Sequence, residues 1–283
     1  MPHPSNNEPI PSPSRWPLPY KAAVSFTMDN LGEAQDVLNN TWSQPIGTHP
    51  AVTTTLPRIL SLLAKHNIRA TYFAEAWSLG VYLDAVRELQ EGGHEVAWHG
   101  WQHERWGILD GNKERELFGR SWDAAKKAGV RYFGFRPPGG KANEPTWKLL
   151  DEYGAKYISP EGRAEETGIG KEGIVVLPFE WKTVDAWWYM EKFASKRKEV
   201  GENEEVKTAR EFEEWLMKRL DEVKRDGGFL SVLFHPFLQA SEEKLEVLEA
   251  VAKRISGDPE IWVAPCKEIA DWVREHPELY RDR

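Results

Sequence analysis

The chain has 283 residues, 40% of them hydrophobic and 29% charged, with a formal net charge of −8 and a pI near 5.6. That length suits a single α/β barrel, and the apolar share excludes wholesale disorder. The acidic balance excludes the basic face that nucleic acid or an anionic membrane surface requires, and no segment approaches the ~18 consecutive apolar residues of a membrane span.

One cysteine, Cys266, permits no internal disulfide. Residues 1–20 hold seven prolines but neither a basic start nor an apolar run, so no secretory leader is expected and the cytoplasm is the default location. Residues 1–19 read as an extended Pro-rich arm without a core of its own, and 20–283 as one catalytic domain.

From Lys21 onward, short apolar runs alternate with helical patterns. The runs are Ala22–Thr27, Ala70–Phe73, His94–Ala97, Tyr132–Phe135, Ala155–Ile158, Ile174–Leu177, Phe229–Phe234 and Ile261–Ala264. Each is nearly continuously apolar, as strands buried on both faces are. Thr53–His66 carries helical spacing, and Tyr82–Glu91 stops at Gly92-Gly93. Thr208 to Glu211 fits a capping box opening a helix that runs to Asp226, and Ser241 starts another. The alternation predicts a distorted parallel (β/α) barrel of seven or eight strands. Residues 161–173 read as a mobile loop, and 191–207 as a charged, solvated stretch.

The reactive residues fall at strand ends. Asp29 and Asn30 follow the first run, His99 and His103 the third, and Arg136 the fourth. Trp181 and Asp185 follow the sixth, and His235 the seventh. In a parallel barrel these points converge on the C-terminal rim. His99 and His103, four residues apart, would share one face of a helical turn and grip a divalent metal such as zinc, cobalt or nickel. Asp29 and Asn30 are candidates for the same metal, with Asp29 also a candidate general base on water. Arg136, on a loop stiffened by Pro137 and Pro138, can pair with Asp29. His235 is placed for proton transfer, with Asp185 to orient it. Fourteen tryptophans fill the core or line a cleft, and Trp101, Trp181, Trp187 and Trp188 are the candidates for holding a substrate.

The ordered set resembles the polysaccharide deacetylase family, carbohydrate esterase family four, with its nodulation-type deacetylase domain. Thr27-Met28-Asp29-Asn30 stands for the family's Thr-Phe-Asp-Asp motif, His99 and His103 for His-x-x-x-His, and Arg136-Pro137-Pro138 for its Arg motif. Trp181 with Asp185, and then His235, complete the order. The resemblance implies a deacetylase-type barrel, Asp29 as base tethered by Arg136, His235 as acid, and a bound divalent metal, zinc first.

Asn30 departs from the family's metal-binding Asp. Either Asn30 still coordinates, or Asp29 turns to the metal and leaves a base such as Glu33 or Glu104, or the site works without metal as in the allantoinase-like branch. The Asn-Leu-Gly-Glu continuation and His99-Gly-Trp resemble that branch. The expected activity is hydrolysis of a non-peptide amide: N-deacetylation of an amino sugar or chito-oligosaccharide, or alternatively cleavage of a small amide, cyclic imide or ureide. A catalytically silent carbohydrate binder is the reading from another class. A homodimer or higher homo-oligomer is compatible with the sequence.

Overall fold

A computed structural model describes residues 14–280. Its centre is β1 (Ala22–Asp29), eight residues that are buried on both faces. The other strands are β2 (Thr71–Ala74), β3 (Glu95–Trp98), β4 (Gly134–Phe135), β5 (Tyr157–Ile158), β6 (Gly168–Ile169), β7 (Val175–Val176), β8 (Phe229–Phe234) and β9 (Ile261–Val263). The sheet runs β6-β7-β5-β4-β3-β2-β1-β8, parallel throughout except for β6 against β7. One edge of β1 takes β8 from Ala23 to Met28. The other edge is shared: β9 pairs with Ala22–Val24 and β2 with Thr27–Asp29. An isolated parallel bridge between Val184 and Leu233 brings the chain beyond β7 against β8, so the sheet curls into a half-barrel.

All eight apolar runs become strands, because continuous apolar sequence survives only where both faces are covered. Helices Leu56–Lys65, Leu83–Glu91, Ala209–Asp226 and Glu242–Ser256 stand where the periodicity puts them. The Thr208 hydroxyl accepts from Glu211 N–H, and Gly227 ends that helix at φ +75°. A π-helical turn, Ala51–Thr55, replaces the first turn expected of the Thr53–His66 helix.

Two expectations are corrected and a third is sharpened. The stretch 161–173 is built rather than loose. It holds a 3₁₀ turn, Ala164–Glu166, and β6, which forms a hairpin with β7. Its glycines concealed the strand. The stretch 191–207 is exposed at most positions, as expected, yet it is anchored by Arg197, fully buried, whose guanidinium donates to the carbonyls of Trp187, Met190 and Glu204. Helix Ala194–Glu199 therefore packs down over the rim. Finally, the described end of the arm, residues 14–19, is docked. Trp16 is 1% exposed, donates to Gly227 O and meets the rings of Trp262 and Tyr280. The rest of the arm, residues 1–13, lies outside the described residues. Among the described residues, no helix is long and apolar enough to cross a membrane.

Glu95 at the start of β3 is buried and accepts from Thr71 Oγ1, the Tyr157 hydroxyl and Lys267 N–H at 2.8–3.0 Å. Burial raises its pKa from 4.5 to about 7. The folded chain thus holds this proton more tightly than the unfolded chain. Its contribution to stability is complete below about pH 4.5 and is lost as pH rises through about 7. E95Q should remove that slope, so the Tm of wild type should fall relative to the variant's between about pH 5 and 8. Melting curves with a constant Tm difference across that window would contradict the assignment.

Candidate active site

The rim chemistry begins in the core beneath it. Trp98 and Phe135 face each other across β3 and β4, ring centroids 4.3 Å apart, with Trp106 and Phe118 packed against both. The residues that follow this pair are His99 and Arg136. Arg136 N–H donates to Trp98 O at 2.9 Å, and His99 Nδ1 meets Arg136 O at 2.8 Å. That bond fixes the His99 ring and leaves Nε2 as its free nitrogen. His99 Nε2 lies 3.7 Å from Asp29 Oδ2.

The helical turn expected over His99–His103 is absent. Gly100 has φ +81° and His103 φ +67°, both left-handed, so the segment is a tight loop. A Cβ on Gly100 would stand 2.9 Å from Glu104 Oε2. The loop is held by the Glu104 carboxylate, which accepts the N–H groups of Trp101 and Gln102, both at 2.9 Å. It still brings the two imidazoles together, centroids 4.9 Å apart. Gln35 meets His103 Nδ1 at 2.8 Å, leaving that ring's Nε2 free as well. Burial pushes the pKa of His99 down to about 3 and that of His103 well below the usual histidine value. Both rings are therefore neutral, the form in which imidazole binds metal.

Arg136 is fully buried at the centre of the half-barrel. Its guanidinium donates to Asp29 Oδ1 at 2.7 Å, to Thr27 Oγ1 at 3.0 Å, to Ser231 Oγ at 2.8 Å and twice to Ser159 Oγ. It also lies over the Phe73 ring at 4.0 Å. The pairing of Arg136 with Asp29 that the sequence suggested is thus present, and it leaves Asp29 Oδ2 unclaimed by the guanidinium. His235 Nδ1 bonds Asp185 Oδ1 at 2.5 Å, and the other Asp185 oxygen accepts His235 N–H at 2.7 Å. Gln239 donates to that same oxygen, so the buried carboxylate is fully bonded and the ring is locked.

Asn30, at φ +67°, gives its Nδ2 to Glu75 Oε1 at 2.6 Å, while Glu75 Oε2 accepts Leu31 N–H. Glu75 itself is buried, and desolvation raises its pKa to about 7. With Nδ2 held, Oδ1 is the free end of the Asn30 amide. The two alternative bases are engaged elsewhere. Glu33 accepts Gly47 N–H and the Tyr82 hydroxyl, and Glu104 is bound within its own loop.

One cavity of about 260 Å³ gathers Asp29, Asn30, His99, His103, Arg136, Trp181 and His235, with Asp185 behind His235. Of the four tryptophans expected at a substrate, Trp181 alone lines it. Trp101 turns away into a separate cavity, where Arg120 stacks on it at 3.7 Å. Trp187 and Trp188 are buried core residues, packed by the Arg197 clamp and Phe212. The sequence reading missed Glu75, Gln35, Phe179, Lys192 and Lys196. Glu75 directly follows β2, so the strand-end rule that marked Asp29 could have found it.

Two neutral imidazoles with free Nε2 atoms, the Asp29 carboxylate and the Asn30 amide oxygen are donor types that a first-row divalent ion takes, although among the described residues no three His, Cys, Asp or Glu side chains are gathered to hold one. R136M leaves Asp29 buried without its counter-charge. It should lower unfolding stability by about 3–5 kcal/mol in a denaturant titration. The double variant D29N/R136M should recover part of that loss. An unchanged midpoint in R136M would show that the pair does not hold the fold.

Residues 39–158 match the family model for polysaccharide deacetylase. A peptidoglycan deacetylase of Helicobacter pylori is 28% identical over 103 residues, which are 36% of this chain and 35% of that protein. The match thus spans about a third of that curated relative's length. A crystal structure from Mycobacterium smegmatis, assigned as a polysaccharide deacetylase, superposes with a TM-score of 0.79 at 26% identity, covering 92% of this chain and 93% of that one. PuuE allantoinase shares the fold at a TM-score of 0.77 and 20% identity, covering 94% and 95% of the two chains. The family match thus runs from just after the turn that follows β1 through β5, under half of the chain, while the fold superposes on the Mycobacterium smegmatis structure over nearly the whole length.

Proposed function

We propose that the chain is a metal-dependent hydrolase of a non-peptide amide C–N bond, working by N-deacetylation. One observation carries this: a single cavity holds a carboxylate paired to a buried arginine, a histidine backed by a buried carboxylate, and two neutral imidazoles. His99, His103 and Asp29 or Asn30 would hold the ion, zinc by the softness of the donors, with cobalt or nickel accepted by the same set. When bound, such an ion polarises a carbonyl oxygen and favours ionisation of water.

The protein's own residues supply the proton transfers. Asp29, anchored through Oδ1 by Arg136, uses Oδ2 to accept a proton from the attacking water. The hydroxyl oxygen forms the new bond to the acyl carbon, and the C–N bond breaks as the tetrahedral adduct collapses. His235 delivers a proton from Nε2 to the departing amine, and Asp185 carries the counter-charge for the protonated ring. The products are a carboxylic acid and an amine. D29N and H235A should each lower kcat/KM by about 10² or more in an assay of released acetate on acetylated amino sugars. Retention of near wild-type rates in either variant would overturn that residue's role in proton transfer. The variant H99A/H103A should purify with less than a tenth of the wild-type metal content by elemental analysis, about the loss expected when two ligands go. Full retention would remove both histidines from the ligand set.

A second reading, a small amide, cyclic imide or ureide as substrate, is favoured by the cavity's size. About 260 Å³ under the 190–204 segment suits a small molecule better than a polymer chain, which needs a long open groove. Acetylated chito-oligomers assayed against cyclic imides and ureides separate the two.

A further inference from the structure

Two lysines bring positive charge to the cavity, one held only by a long ion pair and the other without an ion-pair partner among the described residues. Lys192 and Lys196 both belong to the segment that Arg197 clamps over the rim, and both line the cavity. The other charges on that wall are matched, Asp29 by Arg136 and His235 by Asp185. Lys196 rests on the Trp181 ring at 4.4 Å, and the carboxylate beside it, Glu161, is 3.9 Å away. Among the described residues Lys192 has no ion-pair partner, although Asp36 acts on it from farther off. It is exposed at the mouth and close enough to His103 to disfavour protonation there.

These two ammonium groups oppose the sign of the whole molecule, whose net charge is −8. An acidic protein repels anions in general, so a positive mouth on one cavity is a local selection device. A neutral acetylated sugar offers these ammonium groups hydrogen-bond acceptors but no counter-charge. A carboxylate does, and its negative charge would be drawn in past an otherwise repelling surface.

We propose that the substrate is an N-acyl compound bearing a carboxylate, which Lys192 and Lys196 bind while its amide lies between Asp29 and His235. This rests on the amide-hydrolase reading above. The test compares an N-acetyl amino acid with the matching N-acetyl amino alcohol, which has the same amide and no charge. Wild type, loaded with its metal, should give a kcat/KM at least about tenfold higher for the acid, and the difference should shrink as salt rises. K192M/K196M should bring the ratio of the two towards one. Equal kcat/KM values in wild type, or a ratio that K192M/K196M leaves in place, would overturn the proposal. Calorimetry of the N-acetyl amino acid on both proteins decides the lysines' role independently of turnover. Binding that weakens at least about tenfold in K192M/K196M supports it, and binding that does not weaken overturns it. Failure to cleave any amide, charged or neutral, would sink the hydrolase reading instead.

Discussion

The Arg136 guanidinium is the constraint around which the rest is arranged. It is wholly buried, and a buried ion is tolerated only when its partners nearly saturate it. Here they come from all around the half-barrel: Thr27 and Asp29 on β1, Ser159 just beyond β5 and Ser231 on β8. Phe73 on β2 supplies a ring face beneath it. Five donors on a rigid fork can satisfy such a circle, whereas a lysine's point charge cannot. The interior of the sheet is therefore polar at its centre and apolar around it. Asp29 is presented with one oxygen committed to Arg136 and the other turned towards His99.

Much of this was legible in the sequence because strand ends are fixed by the apolar runs that precede them. Asp29, His99, Arg136 and His235 each follow such a run, and parallel pairing then collects them. What escaped reading depended on backbone conformation or on distant partners. His99 and His103 meet through left-handed residues in a loop, although their spacing suggested a helix. The segment 191–207 is mostly exposed, as its charge suggests, but its anchor is hidden in the sequence because Arg197 finds carbonyls rather than carboxylates, and carbonyls leave no mark in a charge pattern. Trp187 and Trp188 sit next to Asp185 in sequence, yet their helical turn points both indoles into the core.

Asn30 shows how one substitution reorganises its surroundings. A second carboxylate at that position would stand against Glu75, and two buried carboxylates in contact repel. The amide removes that conflict and donates to Glu75 instead. Glu75 in turn fixes the turn after β1 through Leu31 N–H, and the Tyr72 hydroxyl secures the Asn30 carbonyl. The Asn30 side chain is thus held in one orientation by groups on β2 and beyond. As the proposed ligand, its oxygen would be weaker than a carboxylate but preorganised, and preorganisation would recover part of what charge would have given.

The division of labour between barrel and lid follows from these parts. The residues proposed for proton transfer and metal binding hang on strand ends or, for His103, in the Glu104-held loop just beyond β3, and both leave them little freedom. Lys192, Phe193 and Lys196, which line the cavity beside Trp181, come from a segment pinned chiefly by one arginine. A change in that segment alters cavity size and charge without disturbing Asp29, Arg136 or His235. Fold similarity alone therefore says little about which acyl compound enters. In this chain that segment brings Lys192 and Lys196, two positive charges, to a cavity of about 260 Å³.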